Sequence, residues 1–240
     1  MTFDPGIYEV IRDGIQRSAK VVVPDLYDLF MPDSVIDVGG GEGWWGRAFW
    51  ELGADVLVVD ETIDELGWEH YDGRHTFWGR RVDLTDPPLI QAHADADVDI
   101  RRWDVALCLE VAEHIDEAHS SQLIDWLTDL APIVVFSAAV PGQGGHGHVN
   151  EQWPAYWVEH FERCGFQVSG ALRWRYWGNE NVEPWYQQNL LVAANPNRID
   201  PDDWNHAGNV LFGEHAFDDP IAVVHPVTFT HHVELGKARR

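Results

Sequence analysis

Apolar residues along this 240-residue chain recur in two rhythms, and the switches between them mark out its elements. From Pro5 to Phe30, positions Ile7, Val10, Ile11, Ile15 and Val21 to Val23 return at near-helical spacing, which predicts a helical N-terminal arm with a break at Pro32. Ser34 to Val38 is a short apolar strand, followed by a glycine run and a helical stretch from Trp44 to Leu52. Asp55 to Val59 is almost continuously apolar and closes on Asp60, the pattern of a parallel strand covered on both faces. Thr62 to Trp68 reads as a short helix, and Gly79 to Val82 as a weaker strand closed by Asp83.

Asp86-Pro87-Pro88 and the acidic stretch Ala94 to Asp99 read as loop. Trp103 to Leu109 is a strong strand, Val111 to Ile115 begins a helical segment, and Ser120 to Leu130 is a helix through Leu123, Ile124, Leu127 and Leu130. Ile133 to Ser137 is another buried strand, and Pro141 to Gly145 is a flexible loop. Gln152 to Cys164 is helical with Gly165 as its stop, and Phe166 to Leu172 with Asn189 to Ala194 form a closing pair of strands. This alternation predicts an α/β fold, a doubly wound and mostly parallel sheet with an antiparallel strand inserted at the end. Residues 1–195 are expected to form one domain that includes the helical arm, with 196–240 as a tail or lid.

Composition narrows the function classes. An apolar content of 45% and an aromatic content of 12% suit a packed globular chain. No apolar run approaches the roughly 18 residues that cross a bilayer, and the N-terminus lacks a secretion signal. A cytoplasmic protein with no membrane partner is expected. The formal charge of −24, from 40 acidic and 16 basic residues, repels phosphate backbones, so a nucleic acid partner is disfavoured. Cys108 and Cys164 read as small core residues, not as a disulfide or zinc ligands.

The chemistry concentrates at strand ends. Asp37-Val38-Gly39-Gly40-Gly41-Glu42-Gly43 follows a strand and opens a helix, where glycines allow a tight turn and close approach of a ligand to the backbone. Amides at the helix start favour an anionic group. Asp60, about 20 residues on, is placed to accept from ribose hydroxyls. Asp83, followed by Leu84, is placed to accept from an adenine amino group. Each acid alone could equally cap a helix or face water; all three at successive strand ends favour a nucleoside-containing ligand.

The segments VIDVGGGEGWWG, VLVVDE, VDLTD and WDVALCLEVAEHI together resemble the successive motifs of the class I S-adenosylmethionine-dependent methyltransferases, over residues 33–172. The resemblance implies a seven-stranded Rossmann-like sheet and S-adenosylmethionine as cofactor. Its binding residues would be Asp37, Gly39, Gly41, Gly43, Trp44, Asp60, Asp83, Leu84 and Glu110. The cofactor's carboxylate would meet the helix start and its ammonium Asp37. The pair Trp44-Trp45 departs from the family pattern, which often has smaller residues there.

Glu110, Glu113 and His114 stand at i, i+3 and i+4, one face of a helical turn, and can bind a divalent cation. His148 could supply a fourth ligand, with His146 two residues away. The set is similar to the Glu-x-x-Glu-His plus distal His of metal-dependent small-RNA 2′-O-methyltransferases, and to a segment of quinone-biosynthesis O-methyltransferases. Carboxylate ligands would select Mg²⁺ or Mn²⁺. Without an ion the turn lines the cofactor, and His148 is the candidate general base beside His114 and Glu113. The segment Gly147 to Trp153 resembles the one after the fifth strand in methyltransferases acting on sugars.

Trp174, Tyr176, Trp177, Trp185 and Tyr186 lie among Arg173, Arg175, Asn179, Asn181 and Gln187, a mixture that suits a sugar ring or stacked bases. A packed hairpin over the sheet edge is the competing role. The expected function is methylation of a hydroxyl on a small, sugar-like or polyhydroxylated acceptor, with or without a metal. The alternatives are an RNA 2′-O-methyltransferase and a non-catalytic nucleoside-binding module. A homodimer stays open.

Overall fold

The computed structural model describes residues 5–64, 67–84, 103–213 and 223–229. The loop expected at Asp86 to Pro88, the acidic stretch Ala94 to Asp99 and most of the tail after residue 213 lie outside the described residues. The elements run α1 (Pro5–Phe30), β1 (Ser34–Val38), α2 (Trp44–Leu52), β2 (Asp55–Asp60), β3 (Trp68–Tyr71), β4 (Thr76–Arg81) and β5 (Val105–Leu109). Then follow α3 (Ser120–Leu130), β6 (Ile133–Ser137), α4 (Pro154–Arg163), β7 (Gln167–Ser169), α5 (Ala171–Tyr176), α6 (Pro184–Asn189), β8 (Leu191–Ala194) and α7 (Pro201–Phe212).

The sheet has the order β3-β4-β2-β1-β5-β6-β8-β7. Strands β4, β2, β1, β5 and β6 pair in parallel, while β8 runs antiparallel to both β6 and β7. The inserted antiparallel strand is therefore present. The strand count is eight, not seven: β3 pairs antiparallel with β4 and extends the far edge, with Trp68 opposite Gly79. Thr62 to Ile63 form a turn and bend, and Trp68 starts β3, so the helix expected over Thr62 to Trp68 does not form in the described residues. Likewise the strand expected to Leu172 stops at Ser169, and Ala171 begins α5. The aromatic segment is thus two six-residue helices instead of a hairpin.

Strand alternation splits the core in two. Val35, Val56, Val58, Leu107 and Val135 face α1 and α2, with Phe49, Leu26, Tyr176 and Tyr186. Ile36, Leu57, Val59, Cys108, Val134 and Phe136 face α3 and α4, with Leu123, Leu127, Trp157 and Phe161. Both faces being apolar explains why β1, β2, β5 and β6 read as continuous apolar runs. After Asn195, α7 adds Leu211 to the first core, and the Ser169 hydroxyl donates to the Leu211 carbonyl. Among the described residues, no helix is long and apolar enough to cross a membrane.

Candidate active site

In parallel sheets the carboxyl ends of the strands carry the ligand crevice, and the turn after β1 is its floor. The Gly39 amide donates to the Val59 carbonyl (2.7 Å) and the Gly41 amide to the Asp60 carboxylate (2.8 Å), tying the turn to the end of β2. Gly39 has φ 70°, and a Cβ there would stand 2.5 Å from the Val111 side chain. No other residue fits this position. Asp37 is buried beneath the turn and accepts from the Gly46 amide at 3.0 Å in the first turns of α2. Burial pushes its pKa up to about 7, against the opposing pull of that amide, and Asp60 nearby adds to the rise.

The next wall comes from the end of β5. Glu110 has a φ of 56°, the left-handed region that a residue with a side chain occupies only when held there. Its amide donates to the Ser137 carbonyl (2.9 Å). Its carboxylate accepts from Gln143 Nε2 (2.8 Å) and Asn189 Nδ2 (3.0 Å). The chain then makes a short 3₁₀ turn, Ala112–His114. Glu113 is wholly buried, and neither of its oxygens has a hydrogen-bond partner among the described residues. Burial, with the neighbouring Glu110 carboxyl, drives its pKa well above the usual range. Glu110 is also raised by burial, its amide partners opposing.

The loop after β6 closes the site. The Glu113 carbonyl accepts from the Val149 and Asn150 amides, and Glu151 accepts from the Gly142 and Gly144 amides, so the glycine-rich segment is folded around two acids. Glu151 Oε1 also lies 2.9 Å from His148 Nδ1, and the Glu113 carboxyl is 4.0 Å from His148 Nε2. Burial alone would raise the Glu151 pKa, but His148 and the two amides outweigh it and hold the group ionised. Nδ1 of His148 thus faces the Glu151 carboxylate, and Nε2 is turned toward Glu113. His114 Nδ1 faces the Gly147 carbonyl at 3.4 Å, and the two imidazoles meet edge to face at 4.9 Å. Burial, then His148, lowers the His114 pKa to about 4, so this ring is neutral.

Glu113, His114 and His148 each offer a ligand atom within 4.8 Å of the others. The fourth expected member, Glu110, turns its carboxylate to Gln143 and Asn189 and stands outside that group. A buried carboxyl without donors beside two imidazoles is a donor set that suits a divalent cation.

These groups border one cavity of about 240 Å³. Asp37, Gly39, Gly40, Glu110, Glu113, His114, His146 and His148 line it, together with Ile11 and Ile15 of α1, Trp45, Gln143, Trp185 and Tyr186. Of the expected cofactor residues, Gly41 and Gly43 shape the turn from beneath. Trp44 lies apart from the cavity, donating to Glu42 at 2.9 Å with Arg47 over its ring. Asp60 is buried and also accepts from Thr62, Asp83 is exposed past β4, and Leu84 packs on the second core.

Sequence reading missed Ile11, Ile15, Gln143, Glu151 and Asn189, whose roles depend on contacts between distant segments. For the Trp pair, the edge-to-face stack of Trp45 on Tyr186 (4.9 Å) decides which ring faces the site. Arg173 and Gln187 are not ligand donors on a surface but buried, bonded to backbone carbonyls.

Residues 7–181 match the family described as a methyltransferase domain. The chain belongs to the class I S-adenosylmethionine-dependent methyltransferases. Among solved structures, this methyltransferase is similar to magnesium protoporphyrin IX methyltransferase from Synechocystis PCC 6803, which carries bound S-adenosylhomocysteine (20% identity, 81% of this chain and 90% of that one, TM-score 0.53). It is also similar to an S-adenosylmethionine-dependent methyltransferase from Archaeoglobus fulgidus (15% identity, 80% and 99%, TM-score 0.55) and to the methyltransferase domain of bacterial CtHen1-C (16%, 75% and 98%, TM-score 0.50). At these identities the likeness speaks to the fold. No curated protein is similar enough in sequence to count as a relative.

Proposed function

We propose that this methyltransferase methylates a hydroxyl group on a small, polyhydroxylated acceptor, sugar-like in its display of neighbouring oxygens. The observation that carries the reading is the cluster Glu113, His114 and His148 on the wall of the cavity that also contains Asp37 and the Gly39-Gly40 turn. Asp37, the turn from Gly39 to Gly43, Asp60, and Asp83 with Leu84 are the residues that would hold the cofactor. When bound, S-adenosylmethionine supplies the activated methyl group.

His148 is the proton acceptor in this reading. Glu151 holds its Nδ1–H, so Nε2 can take the proton of an acceptor hydroxyl, and the Glu151 carboxylate then stabilises the imidazolium. In the metal-free form Glu113 and His114 position the oxygen directly; in the metal-assisted form His148 joins them as a ligand of a divalent ion, Mg²⁺ or Mn²⁺, in place of its role as proton acceptor. Such an ion would lower the hydroxyl pKa. The buried, donorless Glu113 carboxyl supports the metal-assisted form. Residues 1–195 are read as the catalytic unit and 196–240 as its extension.

Labelled-methyl transfer to a panel of polyols and phenols, with Mn²⁺ or with EDTA, tests the assignment. Replacement His148→Ala is expected to lower the rate at least about a hundredfold. Transfer indifferent to that change removes the role of His148. Equal rates with metal and with chelator remove the ion. If only non-hydroxyl acceptors are methylated, the O-methyltransferase reading fails.

A further inference from the structure

Tyr186 carries a hydrogen-bonding capacity that the fold does not use. It sits in α6, is 4% exposed and lines the cavity. The oxygen accepts from the Trp45 indole N–H at 3.3 Å, and the neighbouring Trp185 ring packs at 5.9 Å. No acceptor for the Tyr186 proton is found among the described residues. Burial holds the phenol far above its ordinary pKa, with Glu110 and Asp37 opposing ionisation, so the proton stays. A buried donor left without an acceptor is costly, and a ligand that supplies one relieves the cost.

What it faces follows from Trp45. That residue is second in α2, immediately after the glycine turn, where the helix start favours an anion. Several turn amides are committed already: Gly39 to the Val59 carbonyl, Gly41 to Asp60, Gly43 to the Gly40 carbonyl, and Gly46 to Asp37. The described part of the cavity wall has no lysine or arginine. A neutral O–H beside the helix start is then a side-chain donor that can join the remaining helix-start amides on an anionic oxygen.

We propose that Tyr186, oriented by Trp45, is a cofactor-binding donor that takes the carboxylate at the amino-acid end of S-adenosylmethionine. It acts in recognition and not in proton transfer. Its absence from the usual motif segments follows from its position on α6, well past them in the chain.

Calorimetric titration of wild type, Tyr186→Phe and Trp45→Phe with S-adenosylhomocysteine and with 5′-methylthioadenosine, which lacks the amino-acid end, tests this. Tyr186→Phe is expected to weaken S-adenosylhomocysteine about tenfold and to leave 5′-methylthioadenosine within about twofold; Trp45→Phe follows the same pattern more weakly. Equal losses for both ligands would mean a packing role, and unchanged S-adenosylhomocysteine affinity would mean the hydroxyl is not used. Either result overturns the proposal. A specific loss for an acceptor polyol, with S-adenosylhomocysteine unaffected, would assign the donor to the acceptor and also overturn it. Should Tyr186→Phe not fold by thermal melt, Trp45→Phe decides on the same criteria.

Discussion

Asp37 is a carboxyl group that the fold keeps from water, and its cost can be measured. With a native pKa of about 7 against an ordinary value of 3.8, the folded chain binds more protons than the unfolded one between these values. Its contribution to stability is therefore fully present below about pH 4 and is lost as pH rises to about 7, amounting to ~4 kcal/mol. Asp37→Asn, which can still accept from the Gly46 amide, is expected to flatten this part of the stability curve and to raise the melting temperature at pH 8. It should also weaken S-adenosylhomocysteine binding by about tenfold, since a cationic ammonium loses its counter-charge. A melt profile that keeps the wild-type slope would move the titration elsewhere. Glu151 makes the complementary case. Glu151→Gln should lower kcat about tenfold and leave cofactor affinity in place, because it touches His148, the proposed proton acceptor, and the loop, not the glycine turn. Loss of cofactor affinity in that variant would show the loop to be part of the binding floor. Asp37 was legible in the sequence as a candidate site residue, whereas Glu151 was not. The surroundings of neither were, because Gly46 and the Gly142 and Gly144 amides come to them only through the fold.

At the scale of elements, the strands covered on both faces were the readable ones. Ser34–Val38, Asp55–Asp60 and Ile133–Ser137 carry their apolar side chains on both faces, so burial is written into each segment alone. β3 is different. Its residues Trp68, Glu69, His70 and Tyr71 are mostly exposed, and the strand exists because β4 offers it a hydrogen-bonding edge. α5 and α6 are too short to be helical on propensity, and they persist through the Arg173 and Gln187 bonds to backbone carbonyls. The fit between α2 and the sheet gives a test at this scale. A Cβ on Gly46 would come 2.8 Å from the Val56 side chain and 3.2 Å from Asp37. Gly46→Ala gains about 1 kcal/mol of helix propensity and loses about 1–3 kcal/mol to overpacking. The expected outcome is a chain less stable by about 1 kcal/mol, read in a urea melt. A more stable variant would mean that α2 can lift away from β2 at little cost.

For the whole molecule, charge is the dominant fact. At −24, the chain repels itself, and its ion pairs at the surface, such as Arg47 with Glu51, are each worth only a few tenths of a kcal/mol. Raising ionic strength from about 0.01 M to about 1 M shortens the screening length from about 30 to about 3 Å and should raise the melting temperature by several degrees. A melting temperature that falls with salt would indicate that attractive pairs outweigh the net repulsion. The same charge argues that short RNA will not bind. Retention on RNA that weakens steeply with salt would bring the 2′-O-methyltransferase alternative forward.

The sequence by itself pointed to the class of ligand and marked the central strands as segments of a mostly parallel sheet. Glycines after an apolar strand, acids at successive strand ends and the Glu110 to His114 turn are local features, and each acts over a few residues. Only the tertiary structure decided which of those groups share one cavity. It brought Glu113, His114 and His148 together, turned Glu110 to Gln143 and Asn189, and set Tyr186 against Trp45 across 141 positions of chain. The physical reason is range. Backbone geometry and periodicity are written in neighbours, whereas burial, desolvation and hydrogen-bond partners depend on which distant segments the two cores bring into contact.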